Sequence, residues 1–153
     1  MTFHLAQCNI VKLKAPLDSP VVAEFVAALD PINALADAAP GFVWRLKTDD
    51  GDATSIRVFD DDQILLNMSV WESIEALTEY VYRSGHKDVL RQRRQWAERF
   101  DGVQTAMWWI RAGTIPEPSE AVTRLDHLGL AGPSEFAFTF HHRFPAPDGA
   151  TTV

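Results

Sequence analysis

Apolar and polar side chains alternate along two stretches of the chain, and both alternations predict strands. Over Phe3 to Leu13, Ala6, Cys8 and Ile10 share one face, while Leu5, Gln7, Asn9 and Val11 share the other, so two amides stand together on the more polar side. Over residues 64 to 71 (ILLNMSVW), Leu66, Met68 and Val70 point one way and Asn67, Ser69 and Trp71 the other. The first set reads as core and the second as a pocket wall. The period then becomes helical. Ser73 is the predicted N-cap, Glu75 sits in the first turn, and the helix runs to about Tyr82 before Ser84-Gly85 breaks it. Ser84 is placed to cap a second helix whose first turn holds His86.

Elsewhere, Val22, Phe25, Val26 and Leu29 recur at helical spacing, and Asp30-Pro31 reads as an N-cap and first position restarting a second short helix through Leu35 and Ala36. GFVWRL (41–46) predicts a strand with Phe42 and Trp44 on one face and Val43 and Arg45 on the other. The acidic run over 48–62 reads as a solvated connection holding a weak strand, Ser55 to Phe59. Gln104 to Ala112 is an aromatic-rich strand. Ser119 is the expected cap of a helix with a Val122, Leu125, Leu128 stripe, ended by Gly132-Pro133, and Phe136, Phe138 and Phe140 alternate in a last short strand. The order β, α, β, β, α, β with an appended helix and strand is the split βαβ, ferredoxin-like α+β arrangement, one antiparallel sheet with both main helices on one face. Residues 1–142 read as one domain and 143–153 as a flexible tail. If the opposite face carries Trp44, Trp71 and one of Trp108 and Trp109, it exposes more apolar surface than a monomer tolerates. A homodimer packed face to face, with a cavity in or beside each sheet, is the expected remedy.

Composition narrows the function classes. With a net charge of -7 over 153 residues, the chain lacks the basic footprint of a nucleic-acid binder. The single Cys8 excludes an internal disulfide and suits a reducing cytoplasm. No apolar run approaches the roughly 20 residues of a membrane span and the start has no signal-peptide pattern, so a cytoplasmic protein without membrane association is expected. There is no nucleophile elbow, phosphate loop, CxxC or HExxH. No metal site is expected, because the acidic run lacks the ligand spacing of a Ca²⁺ loop.

The motifs LAQCN, GFVWRL, SVWES-x-EAL-x-x-YVYRS-x-H-x-x-V-x-x-x-x-x-x-W, MWWIRAG-x-IP and RLDHL-x-x-x-GPS-x-FAF, spread over about residues 3 to 140, resemble an uncharacterised bacterial family. That family lies in the dimeric α/β-barrel superfamily of the antibiotic-biosynthesis monooxygenases. The resemblance implies a dimeric barrel fold. In the superfamily's cofactor-independent anthrone- and quinone-forming monooxygenases, an Asn and a Trp four residues later on the third strand face the pocket, as Asn67 and Trp71 are spaced here. The Tyr those enzymes carry six residues further on is Leu77 in this chain, which leaves Tyr80 or Tyr82 as a substitute. The superfamily's haem-degrading oxygenases surround the porphyrin with an Asn, a Trp and a His on elements matching those of Asn9, Trp71 and His86.

These readings yield one set of candidate residues. His86, with an imidazole pKa near 6.5, can act as a base at neutral pH or ligate haem iron. The Asn67 amide can steady an enolate or phenolate oxygen, and Trp71 offers a flat apolar wall. Asn9, Gln7, Ser69, Tyr82, Trp44 and Trp109 are the candidate substrate contacts. The expected activity is cofactor-independent monooxygenation of an activated aromatic or polyphenolic substrate. Haem binding through His86 and a non-catalytic dimeric binding module are the alternatives. The basic run from Arg83 to Arg99 reads as a solvated, salt-bridged face or as a clamp for anionic groups.

Overall fold

The first alternating stretch forms β1 (Phe3–Lys12), the centre of a four-stranded sheet in the computed structural model, which describes residues 2–15, 19–46, 64–83 and 103–147. β1 pairs antiparallel with β3 (Ile64–Trp71) on one side and β4 (Thr105–Arg111) on the other, and β2 (Phe42–Arg45) pairs antiparallel with β3. The strand order is β2-β3-β1-β4. Between β1 and β2 the chain forms α1 (Ala23–Asp37), and after β3 it forms α2 (Ile74–Arg83). Each βαβ unit is therefore split by a strand of the other, which gives the expected ferredoxin-like α+β fold.

Both helices cover the face to which Leu5 and Trp71 point. Ala36 of α1 and Ile74, Leu77 and Tyr80 of α2 pack with Leu5, Trp71, Met107 and Phe138. A smaller cluster of Leu13, Val22 and Leu65, with Phe25 against it, seats the start of α1 on the same side. Ser73 Oγ accepts from the Ala76 N–H at 3.1 Å, so α2 starts at the cap the sequence marks.

The opposite face is not bare. Ala121, Leu125 and Leu128 of α3 (Pro118–Ala131) cover Ala6, Cys8, Ile10, Leu66, Met68, Val70, Ala106 and Trp108. The apolar surface that called for a twin is thus buried within one chain. Nor do the indoles share a face, since Trp44 and Trp108 belong to the α3 side and Trp71 and Trp109 to the helix-pair side. Burying each large apolar side chain contributes about 1.5–3 kcal/mol, enough to make this cover a main part of the core.

Other expectations are corrected at the level of backbone geometry. A register shift between Phe42 and Trp44 pairs Phe42 with Trp71 but Trp44 with Val70 and Arg45 with Ser69. This β-bulge turns Phe42 and Arg45 to the helix side and Trp44 to the other, overturning the simple alternation. Asp30-Pro31 does not restart a helix, because α1 is continuous with Pro31 inside it. Packing at both ends, through Phe25 and Ala36, holds the helix across the missing N–H. Pro118 takes the first position of α3 and the cap position falls to Glu117, not Ser119. The last strand shrinks to a single bridge, Phe138 to Met107. Beyond it the Phe144 carbonyl accepts from Trp109 Nε1 at 2.8 Å and Ala146 is buried. The expected strand over Ser55 to Phe59 and the helix carrying His86 lie outside the described residues.

Gly41 fixes where β2 meets α2. Its φ of +81° is left-handed, and a Cβ there would come within 2.5 Å of Ala76 Cβ. Strain and overlap act together, so Gly41→Ala is expected to cost about 3 kcal/mol in chemical denaturation. An unchanged midpoint would contradict this placement.

Candidate functional site

Strand register sorts the helix-covered face into rows. One row runs Phe42, Trp71, Leu5, Trp109, the next Arg45, Ser69, Gln7, Met107, the third Asn67, Asn9, Thr105, and the fourth Leu65, Val11. Apolar rows at each end thus bracket a strip of two rows, about 7 Å apart, whose β1 and β3 side chains are neutral hydrogen-bonding groups, with Arg45 and Met107 on the outer strands. Four of the predicted residues, Gln7, Asn9, Asn67 and Ser69, come together in that strip.

Within it, Ser69 Oγ is the focus. Gln7 Nε2 donates to it at 2.6 Å and Trp71 Nε1 at 2.8 Å, while Ser69 itself is only 7% exposed. Asn67, across from Asn9, is exposed, and Asn9, Gln7 and Thr105 are partly so. A solvent-reachable amide therefore stands beside a buried hydroxyl that is already fixed in place.

Trp71 differs from its expected role as an open wall. It is fully buried, its ring stacked on Tyr80 at 5.1 Å and meeting Phe42 edge-on at 5.5 Å. Its contribution is to close the apolar end and to orient Ser69. Trp44 lies on the other face and takes no part. Trp109 sits across Leu5 from Trp71, tied to the Phe144 carbonyl. Tyr82 is 55% exposed and touches Phe140, with ring centroids 6.2 Å apart. His86 lies outside the described residues.

Arg45 and Thr105 were missed in the sequence, and Tyr80 entered it only as a stand-in for the Tyr that Leu77 replaces. Arg45 reaches this side through the bulge and binds Asp37, Nε to Oδ1 at 2.7 Å. Tyr80 donates to the Ile32 carbonyl at 3.2 Å, and burial pushes its phenol up to about 12, an effect reduced by Arg45 and reinforced by Asp37. Thr105 carried its signal in the alternation with Met107 and Trp109, whereas nothing periodic reveals a bulge. Cys8 is buried on the α3 side, and desolvation pushes its thiol up to about 12, so it is an inert core residue.

A concavity lies on the opposite side of the sheet. This cavity of about 430 Å³ is lined by Ile10, Val103, Val122, Leu125, Gly129 and Leu130, with Asp126 as its charged residue. Among the described residues, none of the predicted site residues borders it. Among the described residues no three His, Cys, Asp or Glu side chains cluster to hold a metal ion, and no helix is long and apolar enough to cross a membrane.

Residues 4–152 match the model of a family described as a domain of unknown function, DUF3291. The chain belongs to that family. The motifs had likewise pointed to an uncharacterised family. No curated protein sequence matches it. Among solved structures, the DUF3291 chain is similar to a protein from Methanosarcina mazei Go1, at 11% identity and TM-score 0.52, covering 72% of this chain and 93% of that one. SnoaB, a cofactor-independent oxygenase from Streptomyces nogalater, aligns at 19% identity and TM-score 0.48 over 74% of this chain and 98% of its own. Rv0793 from Mycobacterium tuberculosis aligns at 15% and 0.46, covering 75% and 98%. At 11% identity the likeness to the Methanosarcina protein concerns the fold alone, which agrees with the strand order above.

The buried phenol makes stability pH-dependent. Because the Tyr80 pKa is raised from 10.0 to about 12 on folding, the DUF3291 domain keeps this contribution below pH 10 and loses it as the pH rises toward about 12. Urea midpoints followed from pH 8 to 12 should fall over that window, and Tyr80→Phe should flatten the fall. Equal slopes in the two proteins would refute the assignment.

Proposed function

We propose that the domain binds a small aromatic molecule bearing an acidic hydroxyl or enolisable carbonyl, over the strip formed by Gln7, Asn9, Asn67 and Ser69, and oxygenates it without a cofactor. The observation that supports this reading is the exposed Asn67 beside the fixed Ser69 hydroxyl, neutral groups bracketed by apolar rows. Apolar surroundings with a few convergent polar groups suit a flat ligand carrying one oxygen anion. In such surroundings the Asn67 N–H donors stabilise developing negative charge more than water does.

The chemistry needs a carbanion, not a metal. A CH₂ flanked by aryl rings and conjugated through them to a carbonyl gives up a proton, the enolate carbon reduces O₂ to a carbon-bound peroxide, and loss of water leaves a new carbonyl. In sum, CH₂ and O₂ become C=O and H₂O. Tyr80 is held protonated at neutral pH and Arg45 is ion-paired, so neither serves as the base. His86 is the proposed base, and Asn67 the group that steadies the enolate.

The haem alternative meets an obstacle in the described residues. The haem reading sets Trp71 against the porphyrin, and the Trp71 ring is already enclosed by Tyr80 and Phe42. Among the described residues, Trp71 therefore does not offer the wall that this reading calls for. A homodimer is part of this proposal, although α3 covers the face expected to join the two copies.

Oxygen uptake with 1,8-dihydroxyanthrone and a panel of polyphenols tests the enzyme reading. Turnover is expected, with Asn67→Ala lowering kcat about a hundredfold and His86→Ala removing its dependence on a group of near-neutral pKa. No uptake across the panel, or uptake unaltered in both variants, would reject it.

A further inference from the structure

Ser69 presents an unusual hydrogen-bond inventory. A serine hydroxyl has two acceptor lone pairs and one donor hydrogen. Both lone pairs are taken, one by the Gln7 Nε2 donor at 2.6 Å and one by the Trp71 Nε1 donor at 2.8 Å. An indole N–H can only donate, so the Trp71 contact fixes the direction of that bond. The hydroxyl hydrogen finds no acceptor among the described residues.

Tetrahedral geometry at Oγ then decides where the hydrogen points. Gln7 approaches from β1, directly across the register, and Trp71 from two residues further along β3. The remaining direction leads away from both, toward Asn67 and β2. Arg45, the β2 residue paired with Ser69, is ion-paired with Asp37 and offers no acceptor. Accepting two N–H bonds also polarises the O–H, which makes it a stronger donor. Leaving such a donor unmet on a largely buried residue is costly, unless a ligand oxygen meets it.

From this we infer that Ser69 is a substrate-binding donor, its hydroxyl hydrogen aimed at the anionic or carbonyl oxygen of the ligand, with Gln7 and Trp71 as the positioning residues that hold it there. The inference rests on the proposed ligand strip and adds to it the second donor and the ligand group it recognises. Asn67 and Ser69, two residues apart on one strand face, form a two-point cradle for a single oxygen, so the ligand class narrows to phenolates, enolates and their carbonyl tautomers. Trp71 thereby acts through Ser69, without touching the ligand.

A matched pair of probes tests it. 4-Nitrophenolate and 4-nitrotoluene have nearly the same shape and differ in the oxygen the cradle would hold. In the wild-type chain, equilibrium titration should show 4-nitrophenolate bound more tightly. Ser69→Ala should lower that preference about tenfold while leaving 4-nitrotoluene affinity unchanged, a pattern that general loosening of the fold does not produce. Gln7→Glu provides the second variant, because its carboxylate can only accept and would draw the Ser69 hydrogen to itself. It should lose a similar share of the preference with the serine still present. If Asn67→Ala weakens 4-nitrophenolate binding but Ser69→Ala and Gln7→Glu leave the preference intact, the Ser69 assignment falls and the proposed function stands. If the wild-type chain does not prefer 4-nitrophenolate, or binds neither probe, both are overturned.

Discussion

A polar group placed on a buried sheet face must be satisfied, exposed or put to use, and that constraint organises this molecule. β3 sends Asn67, Ser69 and Trp71 to the side covered by α1 and α2, where unpaired hydroxyls and amides cost free energy. Three solutions appear in three consecutive rows. Trp71 is buried, with its N–H spent on Ser69. Ser69 is nearly buried and accepts two donors, and Asn67 is left exposed. The helices cannot close over the whole face without stranding that strip, so their apolar contacts gather at its two ends.

The covering of the second face shapes the functional reading as much as the first. With α3 laid over Trp108, Met68 and Leu66, the sheet has no indole-rich surface awaiting a partner, and the candidate site moves to the helix side. Trp71 changes role with it. It becomes a structural neighbour that aims a donor, and the groups available to a ligand are small, neutral and polar. Such a set suits stabilising charge that the substrate itself carries.

Much of this was legible in the chain, and the exceptions have physical causes. Alternation in β1 and β3 correctly grouped Gln7 with Asn9 and Asn67 with Ser69 and Trp71, because strand side chains obey a period of two wherever the ladder is regular. The element order likewise predicted the ferredoxin-like topology. The bulge at β2 broke that regularity, and a local register shift of this kind leaves no periodic signal in the chain. Pro31 was misread because local propensity says that proline stops a helix, whereas packing at Phe25 and Ala36 carries α1 through it. The stripe of α3 was visible, but which surface it covers depends on the path of the whole chain. His86 lies outside the described residues, so the role of base remains a proposal from sequence.

The central claim is that the helix side of the sheet, at the amide and hydroxyl strip, is where a ligand oxygen is held. Side-chain amide NMR signals of Gln7, Asn9 and Asn67, followed during titration with 4-nitrophenolate, test it directly. The account predicts saturable shifts of all three, largest for Asn67, with little change at Val122 and Leu130 beside the α3 cavity. Shifts confined to the α3 side, with the three amides unmoved, would contradict it.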